Sequence, residues 1–561
     1  MNKKVLIIFC LFILVLKVNA QNRNSYFKKV FTEADTLRGN LSKYRTCFDV
    51  TYYDLKVEFN IENKSIVGTN DIYFEVKHDL DTLQIDLFDN LNISKIEFDG
   101  QELKYFRKFN AVFVIFPRTL FQETRGVLTV NYDGIPKIAI RPPWDGGFVY
   151  SKDDFGTDWL AVSCEGIGAS IWWPNKDHLS DEPDSMDIHL IVPQKFNAIS
   201  NGNLVSAIQI NSKQTDYHWQ VSYPINNYNV TFNIGNYSHF QDTLKYKDGE
   251  VLKLDYYVLS NHVDTAKVHF QQVKPMLRIY DKYFGKYPFM KDGYALVETP
   301  YLGMEHQSCI SYGNKFNIGY LGGRMPDSMY WDFIIIHESG HEYFGNSVSC
   351  KDHAEMWIHE AFTTYMEALY VENTLGYDKA LEYLEYQTQY IKNLEPVIGP
   401  MNVNFGEWNS SDHYFKGSWI LHTLRNTISQ DSVFFDILRT FYDQHKCGFA
   451  TTDDFVKLVN EKAKRDYTNF FEQYLYHPSI PKLQFRSKKN GNGIILTFRW
   501  SASTPKFDMP IKISKNEEFA IWLNPTTEWQ DVELSDIEED AIRFDSRLYL
   551  VDLQRVNDNF K

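Results

Sequence analysis

His337 and His341 stand four residues apart with Glu338 beside the first, and Glu360 follows after eighteen intervening residues. No other feature constrains the fold of this 561-residue chain as tightly. Residues four apart share one face of a helix, so both imidazoles can grip a single metal ion only if this segment is helical. The apolar run Phe333-Ile334-Ile335-Ile336 leads into it, as expected of a buried helix. Glu338 is offset around the same helix, where it reaches a water instead of the metal. The eighteen residues after His341 allow a turn and the start of a second helix. That helix supplies a third ligand from Trp357-Ile358-His359-Glu360-Ala361-Phe362. Two histidines and one carboxylate leave a fourth position open, which is the arrangement of catalytic rather than structural zinc. A bare His-Glu-x-x-His string arises by chance in many chains. The spaced Glu360 and the apolar lead-in set this one apart, and one Zn2+ per chain is expected on His337, His341 and Glu360.

The chain opens with Asn2-Lys3-Lys4, a dozen apolar residues from Val5 to Leu16, and the small-residue exit Val18-Asn19-Ala20. This pattern describes a secretory signal peptide cut after Ala20. The expected location is therefore exported, periplasmic or extracellular, with no stable membrane insertion after cleavage. Removing residues 1–20 takes away three lysines and moves the formal charge from −15 to −18. Such a charge argues against nucleic acid and anionic membranes as partners. Five cysteines remain, Cys47, Cys164, Cys309, Cys350 and Cys447, without metal-binding or redox spacing. An odd number cannot all pair within one chain, so the fold is not expected to rest on disulfides.

Length and pattern predict a multidomain α+β protein. Residues 21–40 read as a flexible, polar lead-in. Leu55, Val57, Phe59 and Ile61 alternate with polar residues, and the alternation recurs at Ile72, Phe74 and Val76. This predicts an N-terminal antiparallel β domain over 41–238. A helix is expected over 262–284, and helical text dominates from Asp327 to Tyr476, giving a mainly helical catalytic domain over 239–480. Pro478 and Pro481 mark the next boundary, and strands such as Ile494–Phe498 predict a small C-terminal β domain over 481–561.

The motifs together resemble those of the aminopeptidase N family of zinc metallopeptidases, over about residues 38–485. Beyond the zinc signature, Leu302-Gly303-Met304-Glu305-His306 is similar to the family's Gly-x-Met-Glu-Asn motif. Tyr414-Phe415-Lys416-Gly417 is similar to its Tyr-x-Lys-Gly motif. Ser163-Cys164-Glu165-Gly166, ahead of Trp172-Trp173-Pro174, occupies the place of a family glutamate from the β domain. The resemblance implies a thermolysin-like catalytic domain, with Glu305, Gly303, Met304 and Glu165 in substrate binding and Tyr414 as a catalytic tyrosine. The sequence departs from the family at Leu302, His306 and His359, and each histidine is expected to pack or hydrogen-bond locally rather than bind metal. The residues beyond 481 are too few for the large helical domain of many relatives. That leaves the cleft more open, or closed by a partner.

The chemistry follows from the residue types. Glu338 is placed to take a proton from water and pass it to a leaving amine. A tyrosine hydroxyl can donate to an oxyanion without adding charge, which suits Tyr414. Two carboxylates, Glu305 and Glu165, at the end of a cleft would hold a free α-amino group. Peptides with a free N-terminus are the expected substrates, and release of N-terminal amino acids the expected reaction. An epoxide hydrolase or a thermolysin-type endopeptidase on the same zinc site is the alternative.

Overall fold

The computed structural model describes residues 26–557, apart from 28, 324, 327, 407, 515–519 and 539–541. The signal peptide expected at 1–20 lies outside the described residues. Described elements divide into a β-rich part from Glu33 to Leu259, a mainly helical part from Ser260 to Tyr476 and a β part from Lys482 to Arg555. None of the described helices is long and apolar enough to cross a membrane.

Alternation in the sequence becomes alternation in burial. In the strand Phe48–Asn60, Leu55, Val57 and Phe59 point into the core while Lys56, Glu58 and Asn60 face solvent. The chain turns at Lys64 with positive φ, and Ser65–Val76 pairs back antiparallel. This sheet has eight strands in all, and two smaller sheets of four and three strands lie in the same part of the chain. One pairing departs from the antiparallel expectation: Phe48–Asn60 runs parallel to Ser185–Pro193. Parallel neighbours need a long connection, and here the intervening chain supplies four further strands of the same sheet, the three-stranded sheet and two strands of the four-stranded one.

The lead-in is more ordered than its polar composition suggests. Glu33–Gly39 is a helix closed by a capping box, in which Thr32 and Asp35 satisfy each other's backbone N–H groups. The Leu37 carbonyl accepts from Gln84 Nε2 at 3.1 Å, and Arg38 lies 3.5 Å from Asp177. Tertiary partners thus order a segment whose composition alone would not.

The helix expected over 262–284 is broken in two, Val263–His269 and Val273–Phe284, by a 3-10 turn at Phe270–Gln272. Pro275 explains the break, since its ring clashes with the carbonyl four residues back and it donates no hydrogen bond. The second helix stops at Gly285, whose φ of 100° favours glycine. Tyr237–Lys245, Val251–Leu259, Tyr294–Glu298, Ile310–Tyr312 and Gly303–Met304 form a five-stranded mixed sheet. The site is built against this sheet.

Trp172 and Trp173 are fully buried, and Trp173 meets Tyr53 edge-on at 5.0 Å. Beside them a buried ionic knot ties the β part together. Arg45 Nη2 donates to Asp86 at 2.7 Å, Arg45 Nη1 donates to the Asp177 carbonyl at 3.0 Å, and the Asp177 N–H donates to Asp86 at 3.2 Å. The five described cysteines are all free, four of them buried. Breaking one side of a buried pair leaves an uncompensated charge, at a cost of about 3–5 kcal/mol. Arg45→Ala should therefore lower the first thermal unfolding transition by several degrees. An unchanged transition in calorimetry would show that Asp86 finds another partner.

Candidate zinc site

The signature helix runs Phe333–His341 and is N-capped by Asp332, whose carboxylate accepts from Ile334 N at 2.9 Å and Ile335 N at 3.3 Å. Asp332 is itself held by Tyr312 Oη at 2.7 Å, Asn314 Nδ2 at 2.9 Å and His269 Nε2 at 2.7 Å. The cap thereby fixes where the helix begins relative to the sheet. Ile334, Ile335 and Ile336 are buried, as the apolar run implied.

Two glycines let the neighbours come close. A Cβ at Gly303 would sit 2.7 Å from Ile334 Cγ2 and 3.0 Å from Glu338 Oε1, so the short strand Gly303–Met304 can pass the helix only without a side chain there. At Gly345, φ is 127°, and the turn brings the Phe344 carbonyl to 2.9 Å from His341 Nδ1.

The long helix Trp357–Leu375 brings Glu360 to the two histidines. His337 Nε2 and His341 Nε2 are 3.2 Å apart, and Glu360 Oε2 lies 3.6 Å and 3.4 Å from them. Tetrahedral ligands each about 2.1 Å from a zinc ion are about 3.4 Å apart, so the three donors already stand at ligand spacing. All three residues are buried, and Glu360 Oε2 has no hydrogen-bond donor. A buried carboxylate oxygen without a partner is costly, and a cation at this point removes the cost. Among the described residues this is the one His/Cys/Asp/Glu cluster that could hold a metal ion, and it fits a single Zn2+.

Sequence reasoning missed Glu367. It is fully buried and accepts from His337 Nδ1 at 2.6 Å and from Tyr383 Oη at 2.6 Å. Its carboxylate selects the His337 tautomer that leaves Nε2 free for metal. The available signal was its spacing, seven residues after Glu360 and hence on the same helix face.

The other expected site residues converge on one cleft of ≈ 710 Å³, lined by Glu165, Gly303, Met304, Glu305, His337, Glu338, His341, Glu360 and Tyr414. Burial, with Glu305 and Glu360 adding to it, pushes the Glu338 carboxyl up to about 7, against the pull of His337 and His341. Met304 is buried and its strand pairs with Ile310–Tyr312, which carries Glu305 into the cleft. Glu305 Oε1 accepts from Tyr228 Oη at 3.0 Å, and its backbone carbonyl accepts from Asn346 Nδ2 at 2.7 Å. Glu165, half-buried, arrives from the β part. Burial and the carboxylates of Glu305, Glu360 and Glu338 hold its carboxyl well above the usual range. The Tyr414 ring lies nearly parallel to that of His337, 6.0 Å between centroids. Burial and the surrounding carboxylates keep its hydroxyl protonated.

The Tyr-x-Lys-Gly motif has a physical reading. Gly417 faces Ala361, where an added Cβ would come within 2.4 Å of the alanine Cβ, so the helix Phe415–Ile428 packs closely beside Glu360. Buried Lys416 donates to the carbonyls of His477 at 3.0 Å and Pro478 at 2.7 Å, tying this helix to the end of the helical part. The two departing histidines stand outside the metal cluster. His306 Nδ1 pairs with Ser311 Oγ at 2.9 Å, and His359 Nε2 accepts from the Cys350 N–H at 2.8 Å.

Loss of a carboxylate partner behind a zinc histidine typically weakens metal binding about 10- to 100-fold. Glu367→Gln should therefore give up zinc to a competing chelator at correspondingly lower chelator concentration. A titration superimposable on that of the unsubstituted protein would show that Glu367 does not tune the ligand.

Comparison with known proteins agrees with this geometry. Residues 268–474 match the peptidase family M1 domain. Aminopeptidase N of Escherichia coli (strain K12) is 22% identical over 288 residues, covering 49% of this chain and 33% of that protein. The puromycin-sensitive aminopeptidase of Caenorhabditis elegans is 22% identical over 482 residues, covering 81% of this chain and 49% of that protein. The chain thus spans between about a third and a half of the length of these two relatives. Among solved structures, a mutant M1 zinc metallopeptidase from Deinococcus radiodurans bound to a Tyr-Ser-Ala substrate superposes with a TM-score of 0.63 at 19% identity, covering 77% of this chain and 95% of that one. A two-domain M1 zinc metallopeptidase mutant bound to L-arginine gives 0.61 at 19%, covering 74% and 92%. At such identities the solved structures establish the fold. Fold, ligand spacing and family match meet in one conclusion: the central part of this chain is an M1-family, gluzincin-type peptidase domain with a His-Glu-x-x-His…Glu zinc site.

Proposed function

We propose that the protein is a zinc aminopeptidase, an exported short form of the aminopeptidase N type, which releases N-terminal amino acids from peptides. The observation that carries this reading is the pair Glu165 and Glu305, brought from separate parts of the chain to the cleft that holds the zinc ligands. Two partly desolvated carboxylates side by side repel each other unless a cation lies between them. A peptide's free α-ammonium is that cation, whereas an interior peptide segment has none to offer. The pair therefore favours an exopeptidase over an endopeptidase. Solved relatives with bound Tyr-Ser-Ala, L-tryptophan and L-arginine support the reading, since ligands with different side chains occupy the same fold.

Zinc on His337, His341 and Glu360 would polarise the scissile carbonyl and acidify a water. The chain's own residues do the rest. Glu165 and Glu305 hold the ammonium and so set which peptide bond lies over the metal site. Glu338, near the ligands but not one of them, accepts the attacking water's proton at its carboxylate and returns it to the leaving amine. Tyr414 Oη donates to the carbonyl oxygen as negative charge develops there. Export is supported by the basic start, the apolar run Val5–Leu16 and the Ala20 exit.

Acetylating the α-amino group removes its charge and adds bulk beside Glu165 and Glu305. Aminoacyl-coumarin substrates should be cleaved with a free amine and spared when N-acetylated. Glu305→Ala should cut kcat/KM by at least about tenfold, from loss of a charge-assisted hydrogen bond of about 1.5–3 kcal/mol, with zinc content intact. Efficient cutting of an acetylated peptide at an internal bond would replace this reading with an endopeptidase. Glu338→Gln should keep zinc yet lose about a hundredfold or more in kcat. A variant with near-normal turnover would assign the base elsewhere.

A further inference from the structure

Between the 3-10 turn Thr388–Tyr390 and the helix Phe415–Ile428 the described residues form no helix or strand. So long an irregular stretch inside a packed domain is usually functional. One face of it, including Phe405, Gly406, Trp408, His413 and Tyr414, lines the zinc cleft. Its other face is held by the N-terminal segment. Phe27 and Phe31 meet the Phe405 ring edge-on at 5.1 Å and 6.2 Å. The Asn404 N–H donates to the Asp35 carbonyl at 3.0 Å. Gly39 presses against Val403 so closely that a Cβ would fall 2.0 Å from the valine carbonyl carbon. On the far side, a Cβ at Gly406 would stand 3.5 Å from the Gly166 Cα, beside Glu165.

From Phe405 the contacts run on as a line of rings. Phe405 meets Trp408 at 4.8 Å, Trp408 stacks on His413 at 4.3 Å and 26°, and His413 meets Tyr414 at 4.5 Å. Tyr414 then faces the ligand His337 at 6.0 Å. Packed aromatic rings are rigid and have few alternative rotamers, so a displacement at one end is passed along the line. We propose that Phe27 and the stretch Phe31–Gly39 form a clasp that closes one wall of the cleft and, through Phe405, Trp408 and His413, sets the position of the Tyr414 hydroxyl. These three are positioning residues for the tyrosine. The clasp supplies this wall from the chain's own N-terminal side. The proposal rests on the reading of Tyr414 as oxyanion donor.

A double-mutant cycle on the full chain tests it, with a free-amine aminoacyl-coumarin as substrate and zinc content measured throughout. Phe27→Ala with Phe31→Ala should lower kcat about tenfold or more while KM changes much less, since a small misplacement of a group acting in the transition state falls on kcat. Zinc content should stay at one per chain. In a Tyr414→Phe background the same pair should cost no further kcat, because the hydroxyl it positions is already gone. A merely structural contribution would lower kcat equally in both backgrounds. Should the alanine pair fail to fold, Phe27→Leu with Phe31→Leu removes the ring contacts, keeps apolar volume and is read by the same criteria. Normal kcat in the paired variant, or an undiminished loss in the Tyr414→Phe background, overturns the clasp. Normal kcat in Tyr414→Phe alone overturns the oxyanion reading instead, so the two failures are told apart.

Discussion

Four carboxylates, those of Glu165, Glu305, Glu338 and Glu360, line one cleft with the imidazoles of His337 and His341 among them, and most of the surrounding structure answers the electrostatic cost of that arrangement. Anions in a low-dielectric site repel one another strongly and are expensive to desolvate. Cations or donated hydrogen bonds must answer each of them. Glu360, with its orphaned oxygen among the two Nε2 atoms, is answered by a metal ion. Glu305 is partly answered by the Tyr228 hydroxyl. Glu165 is held well above the usual carboxylate range by burial and by the carboxylates of Glu305, Glu360 and Glu338.

The scaffold around the cleft works by fixing positions. Asp332 sets the first turn of the signature helix, Glu367 sets the tautomer of one ligand, and the turn at Gly345 brings a carbonyl to the other. The glycines matter through what they leave out. Gly303, Gly340 and Gly417 each stand where an added Cβ would meet a neighbouring side chain at 3.0 Å or less, and each lies where one site-bearing element crosses another. Close packing transmits strain, so the site's geometry is distributed over helices and strands far apart in the chain.

The outer members of the site are carried differently. Glu165 and Tyr414 sit on irregular segments, the first from the β part and the second at the end of a long loop. Loops hold such residues only if something else holds the loop. For Tyr414 that support runs through Ser411, whose carbonyl accepts from the Tyr414 and Phe415 N–H groups, through Asp412, whose carboxylate accepts from the Lys392 N–H, and through packed rings reaching back to Phe27 and Phe31. For Glu165 it comes from the turn that follows, in which the Glu165 carbonyl accepts from the Ile167 N–H and the Cys164 carbonyl from the Gly168 N–H, both at 2.7 Å.

The metal ligands were legible in the sequence because helical periodicity is local: two histidines at i and i+4 need no tertiary information to face the same way. Strand alternation was legible for the same reason, since each inward residue announces itself two positions later. The break at Phe270–Gln272 was encoded just as locally by Pro275, although apolar periodicity alone ran through it. Tertiary structure alone decided whatever depends on partners distant in the chain. The parallel pairing of Phe48–Asn60 with Ser185–Pro193, the order of the polar lead-in, and the placing of Glu367 behind His337 are of that kind. So is the meeting of Glu165 with Glu305, 140 residues later in the sequence. Periodicity reports which way a side chain faces within its own element. Which element it then faces is set by packing, and packing is a property of the whole chain.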